Sequence, residues 1–327
     1  MWFNNLTGFN ESSPTQVREQ LYVDGDLLKS RVNGGCYKFG KLDTPSLSEL
    51  RAGCANGMSK GKTTIREVVA NVQDLHLDKS NANALFQVAS QFNLLEMIGP
   101  SVTPERGVDI YETDRTQGPA CAIACGAGTI YRNYFAEVNG EIGQTENNQI
   151  DCLRDIGEYF GNVNESLWQM RNGYALASAD GLQKISEQIE KLNESSRQEL
   201  LGRHRIGAMW DTQVTLSDAQ HCVSQVYCSA LPVAYSRESS AAWLPFAKLI
   251  LDAAYEATLA AAVVNFERTG DNRVYLTLLG GGAFGNDNDW IVAAIARALA
   301  VYADAGLDVV VVSYGAPLDC LHDLPLL

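Results

Sequence analysis

A run of small residues, Gly280-Gly-Gly-Ala-Phe-Gly285, follows an apolar stretch at residues 274–279 and precedes a polar turn, Asn286-Asp-Asn-Asp289, and an apolar-periodic segment at residues 290–302. The order reads as buried strand, glycine loop and helix start. Residues without Cβ let backbone N–H groups approach an anion closely, and the first helical turn adds unpaired donors and a partial positive charge. The chemistry on offer is the grip of a phosphate; the plain alternative is a tight strand-to-helix turn that binds nothing. A second start of this kind stands at Gly118-Pro119, with proline at the first helical position and a helix expected over residues 120–130. Its side chains are nearly all small, able to lie close to a sheet or a ligand. Gly57-Met-Ser-Lys-Gly-Lys-Thr63 ends like a P-loop, but Asn56 stands where that motif needs its first glycine and no apolar strand precedes it. It reads as a solvated basic turn. His76, His204, His221 and His322 are scattered without ligand spacing, so no metal is expected.

The elements that must hold these loops follow from pattern and composition. The chain has 327 residues, 46% hydrophobic and 20% charged, enough for a substantial core. Twenty-five basic against 39 acidic side chains give a net charge of −14, which argues against nucleic acid as a partner and leaves a small anion held by backbone amides compatible. No long uninterrupted apolar run predicts a membrane span, and no basic segment leads into an apolar core at the start, so a cytoplasmic or nuclear setting is expected. The 8 cysteines lack CxxC spacing and read as reduced thiols.

Residues 1–62 are polar and turn-rich, with one helical candidate at residues 14–21, and read as an N-terminal extension that packs on a main domain at residues 63–327. Strands are expected at residues 68–72 and 85–89, separated by a turn at 74–78. A loop at residues 94–117 then carries Glu96, Glu105, Asp109, Glu112 and Asp114; a loop this long with apolar content reads as ordered and functional. Helices are expected at 150–160, 181–192 and 243–266, and strands at 205–216, 222–231 and 307–313. Such alternation predicts a three-layer α/β/α fold around a mixed sheet.

Two glycine-led helix starts in one α/β domain, and the order of the pieces around them, resemble the macrodomain family of ADP-ribose binders and ADP-ribosyl hydrolases. The resemblance implies that Asp74, with Leu75, ends the first strand beside adenine. It implies that Asn93 of Val88-Ala-Ser-Gln-Phe-Asn93 sits by the proximal ribose. Gln117 and Gly118 would open the first phosphate loop. Gly281, Gly282, Ala283, Phe284 and Gly285 would form the second, with Phe284 along the ligand. The chain departs from the family in the long 94–117 loop and an insertion at residues 140–200. The three glycines followed by Gln-Glu-Glu of the poly(ADP-ribose) glycohydrolases are absent, which puts polymer cleavage in doubt. The aspartates near the implied scissile bond, Asp114, Asp287 and Asp289, resemble instead a divergent branch that includes arginine-specific ADP-ribosyl hydrolases.

Cleavage at the ribose anomeric carbon passes through an oxocarbenium-like state. It needs a carboxylate to position or deprotonate water and a proton for the leaving group. Asp289 reads equally as an N-cap, and Asp114 as a partner of Arg115 or a turn cap. Two functions stay open: a hydrolase removing arginine-linked ADP-ribose from mono-ADP-ribosylated protein without a cofactor, probed by release of ADP-ribose, and a module that reads ADP-ribose and cleaves nothing. A monomer is expected in either case.

Overall fold

Seven strands hydrogen-bond into one mixed sheet in the computed structural model, which describes residues 1–54, 60–321 and 324. Numbered along the chain, these are β1 (Lys41–Asp43), β2 (Thr64–Val69), β3 (Leu85–Ala89), β4 (Gly207–Gln213), β5 (Cys222–Cys228), β6 (Arg273–Leu276) and β7 (Asp308–Ser313), in the spatial order β1-β4-β5-β3-β6-β7-β2. β5, β3, β6, β7 and β2 run parallel, while β4 pairs antiparallel with both β5 and β1. Valine-rich β7 is buried on both faces, as a strand covered by helices on either side must be.

Successive side chains show the two faces directly. Phe86 stacks on His76 of the short helix Val72–Leu77, whereas its neighbour Gln87 donates to Thr258 of the long helix Ser240–Thr269. Gln225 donates to the Cys121 carbonyl on the first side and Ser224 to Asn265 on the second. The expected three layers are therefore present. Ser240–Thr269 is long and apolar enough to cross a membrane, yet 89% of its most apolar window is buried under other elements. An all-round apolar helix of that kind is a core helix here.

Several boundaries differ from the sequence reading, each for a local reason. The first strand ends at Val69, and the turn expected around Asp74 is the helix Val72–Leu77, capped by the Asn71 side chain. The helix expected over residues 120–130 is two, Gln117–Ala124 and Gly126–Tyr134, broken at Cys125. There the Gly126 amide donates to Thr215 Oγ1 at 3.0 Å and the Ala122 carbonyl accepts from Thr129 Oγ1 at 2.6 Å, so the two groups never meet. β6 stops at Leu276 because the Tyr255 hydroxyl intervenes, accepting from Leu279 N and donating to Thr277 O.

Residues 1–54 hold more structure than one helix. Trp2–Thr7, Pro14–Gln20 and Leu47–Gly53 are helical, Leu21–Asp24, Leu27–Ser30 and Cys36–Lys38 form a small sheet, and β1 is the edge strand of the main one. Phe3, Leu6, Val17 and Leu28 share a second core with Leu95, Met97, Val108 and Tyr111 of the 94–117 loop and with Ile130 and Tyr134 behind it. Glu11 joins the same parts, accepting from Tyr134 Oη at 2.5 Å and Asp109 N at 2.6 Å. Burial raises its carboxyl to about 7. The N-terminal segment thus presses the long loop against the domain. The Gly57–Thr63 turn and His322 fall wholly or partly outside the described residues.

Candidate active-site cleft

The sheet splits where its parallel strands end. β3 stays paired with β5 along Leu85–Ala89, but with β6 only at Leu85 and Phe86. Gln117 fills the gap as a strand would: its Nε2 donates to Gln87 O at 2.8 Å and its Oε1 accepts from Ala89 N at 2.9 Å. A crevice at the carboxyl ends of diverging parallel strands is where open α/β sheets place ligands. Here it consists of two cavities, about 250 Å³ and about 730 Å³, that share Asp114, Thr116, Gln117, Thr277 and Leu278.

The smaller cavity lies between residues 89–98 and the glycine loop. Helix Gln117–Ala124 begins at its wall with no side-chain cap, leaving first-turn amides for a ligand. Opposite, the loop is folded by its own bonds, Gly281 N to Leu278 O, Gly285 N to Gly282 O and Asn286 N to Gly280 O. Among the described residues, the amides of Gly282, Ala283 and Phe284 donate to no protein group. Gly282 is exposed and a Cβ there would meet nothing within 4 Å, so its position is open for a ligand. Gly118 is glycine for another reason: a Cβ would stand 1.9 Å from the Ala89 carbonyl. Phe284 packs with Tyr174 and Tyr235, at centroid distances of 5.2 and 5.7 Å. Tyr174 comes from the 140–200 insertion, and its hydroxyl donates to Met97 O at 2.7 Å.

Glu96 is the group the sequence reading passed over. It lines the smaller cavity, is 3% exposed, and neither carboxyl oxygen has a hydrogen-bond partner among the described residues. A tight loop fixes its backbone: Gln91 N donates to Leu95 O, Gln91 Oε1 accepts from Met97 N, and Leu94 adopts φ 66°. The nearest cation is fully buried Arg132, with Nη2 3.9 Å from Glu96 Oε1. Arg132 spends its donors elsewhere, on Leu94 O, Tyr227 Oη and Thr129 Oγ1, and lies 3.8 Å from the Tyr227 ring centre. Burial pushes the Glu96 carboxyl up to about 8 against the pull of Arg132, and the charge of Asp114 adds to the rise. A carboxyl buried without a partner is costly to stability, and such groups gather at functional sites. Its one sequence signal is a carboxylate inside the apolar run Leu94-Leu95-Glu96-Met97-Ile98.

Of the residues expected at the site, Asp114, Gln117, Gly118, Gly282, Ala283 and Phe284 line the cleft. The others do not. Asp74 is exposed on its helix, and at that end the polar groups bordering the larger cavity are Asn71 and Gln73. Leu75 has its carbonyl held by Asn81. Asn93 is buried behind the cleft, accepting from Leu95 N at 3.1 Å and donating to Gln149 at 2.8 Å. Gly281 packs toward Ile291, and Gly285 needs its φ of 69° and its missing Cβ against Ala234. Asp287 and Asp289 are exposed, outside both cavities. The cap of helix Asn288–Val301 is Asp287, which accepts from Asp289 N at 3.0 Å; Asp289 is a first-turn residue. His76 and His204 are buried, with burial lowering both to about 4, and among the described residues no cluster could hold a metal ion.

No protein-family model and no curated protein matches the chain. Among solved structures, the poly(ADP-ribose) glycohydrolase from Deinococcus radiodurans in complex with ADP-ribose aligns over 85% of this chain and 88% of its own, at 13% identity and a TM-score of 0.47. The poly(ADP-ribose) glycohydrolase from Thermomonospora curvata bound to the inhibitor ADP-HPD aligns over 93% and 92%, at 12% identity and a TM-score of 0.44. Likeness at that level decides neither ligand nor activity.

Proposed function

We propose that this cleft binds ADP-ribose and hydrolyses the glycosidic bond joining it to a protein side chain. The observation that carries the reading is Glu96, a buried carboxyl with no hydrogen-bond partner among the described residues, in a residue that lines the cleft opposite a glycine loop with free amides. The diphosphate would lie between the amides of Gly282, Ala283 and Phe284 and the uncapped start of helix Gln117–Ala124, a pairing that needs no basic side chain in an acidic protein. The nucleoside then points into the larger cavity, and the ribose that reacts lies along Phe284 below Glu96.

In this arrangement the bond between the anomeric carbon and the leaving group breaks as Glu96 gives its proton to that group. A water molecule forms the new carbon–oxygen bond, and its surplus proton returns to the Glu96 carboxylate. Asp114 stabilises the positive ring between the two events. A protonated acid suits an oxygen leaving group, such as the serine or glutamate linkage. The arginine linkage expected from the family resemblance would draw on Asp114 to pair with the guanidinium, because Asp287 and Asp289 do not line the cleft.

The test offers the protein substrates linked through arginine, serine and glutamate and follows free ADP-ribose. Release from one or more supports the hydrolase and assigns its linkage. Tight ADP-ribose binding with no release from any substrate would leave a reader module and overturn the enzyme.

A further inference from the structure

Glu96 and Asp114 both line the smaller cavity, and both are held by Tyr111. The Tyr111 hydroxyl accepts from Glu96 N at 3.0 Å, and its carbonyl accepts from Asp114 N at 3.2 Å. Tyr111 is buried in the middle of the short helix Asp109–Thr113, which Asp114 follows directly. A helix of 5 residues has too few internal bonds to hold its own place. The N-terminal segment holds it instead. Glu11 Oε2 accepts from Asp109 N at 2.6 Å, at the first residue of the helix, and Trp2 N donates to Glu112 Oε2 at 3.2 Å near the last. The other Glu11 oxygen accepts from Tyr134 Oη at 2.5 Å, on helix Gly126–Tyr134 of the main domain. Gly107 makes room for this carboxyl: its φ is 94°, and a Cβ there would stand 2.4 Å from Glu11 Oε2. One side chain thus fastens the helix that carries Tyr111 to a fixed part of the fold.

We infer that Glu11 is a positioning residue of the cleft, setting through helix Asp109–Thr113 where Glu96 and Asp114 stand. Glu11 itself lines neither cavity, so the N-terminal segment completes the site without touching its ligand. The consequence for turnover rests on the hydrolase reading; the clasp does not. Binding of ADP-ribose is insensitive to a slack clasp, because its phosphate donors lie on the glycine loop and on helix Gln117–Ala124, which Gln117 anchors to β3 independently of Glu11. Turnover is sensitive to it, because a catalytic group displaced by about 1 Å can lose about a hundredfold in rate.

Turnover, ADP-ribose calorimetry and hydrogen–deuterium exchange of peptides spanning residues 94–98 and 107–114 test this on the full chain. For Glu11→Ala, kcat should fall about ten- to a hundredfold, ADP-ribose affinity should hold, and exchange should quicken in both peptides. Glu11→Gln keeps an oxygen for Asp109 N and presents an N–H to the Tyr134 hydroxyl, so it should recover most of kcat and of the protection. Tyr134→Phe cuts the clasp on the domain side while keeping the ring, guards against a folding defect in Glu11→Ala, and should show the same split on a smaller scale. Wild-type kcat in Glu11→Ala, or unchanged exchange at residues 94–98, would overturn the inference. So would a fall in ADP-ribose affinity as large as the fall in kcat, which marks a general loosening. If the wild type binds ADP-ribose and releases none from any substrate, the hydrolase reading fails by itself and exchange alone decides the clasp: quicker exchange at residues 94–98 in Glu11→Ala keeps it, and unchanged exchange removes it.

Discussion

Replacing Glu96 by glutamine separates chemistry from stability, because the two should move in opposite directions. In the fold the Glu96 carboxyl titrates at about 8, against 4.5 when unperturbed. Between those values the folded chain holds a proton that the unfolded chain has given up. The wild type therefore has its full stability below 4.5 and loses it progressively as pH rises through about 8. The penalty on the ionised form is at most about 5 kcal/mol. Glutamine is neutral throughout and of nearly the same shape, so Glu96→Gln should be more stable than the wild type above pH 8, by up to that amount, with no slope from this site. Turnover should fall by about a hundred- to ten-thousandfold, since glutamine has no proton to give. Wild-type turnover should itself decline as pH passes about 8. Urea denaturation at pH 5 and pH 9, beside release of free ADP-ribose, reads both effects. A variant with wild-type turnover would refute the catalytic role, and equal stability at pH 9 would refute the burial argument beneath it.

Other substitutions probe the walls. Gly118→Ala puts a Cβ 1.9 Å from the Ala89 carbonyl and should cost about 3 kcal/mol or more in urea denaturation; a loss under about 1 kcal/mol would mean helix and strand are not so close. A Cβ at Gly282 meets no neighbour within 4 Å, so Gly282→Glu should leave stability unchanged while lowering ADP-ribose affinity at least about tenfold by calorimetry, through bulk and like charge. Unaltered affinity would move the diphosphate elsewhere. Asp287→Ala should cost about 1 kcal/mol as a lost cap, and Asp287→Asn almost nothing, with turnover intact in both. A folded Asp287→Asn without turnover would bring the second-loop aspartates back into the chemistry.

Signals written in neighbouring residues carried much of this into view from the sequence. Apolar runs such as Val309-Val-Val-Val312 mark strands buried on both faces, and the run of small residues at 280–285 marks a loop where backbone can meet a ligand. Those features are local, because strand period and glycine conformation depend on a few adjacent residues. Helix breaks and strand ends were less legible, since Thr215 and Tyr255, far along the chain, take the backbone groups that would have continued them.

What tertiary structure alone decided is which carboxyls stand at the cleft. Asp114, Asp287 and Asp289 look alike in sequence, and Asp114 and Asp287 each accept from the amide two residues on, yet of the three Asp114 alone lines the cleft. Glu96 looked like one more loop acid. Its significance comes from desolvation, set by Leu95 and Met97 packing under the N-terminal helices and by Gly118 lying against the end of β3. Burial is a sum over parts of the chain that meet only in the fold. A residue's type and its near neighbours cannot report it, and so only the folded chain shows that Glu96 is buried at the cleft.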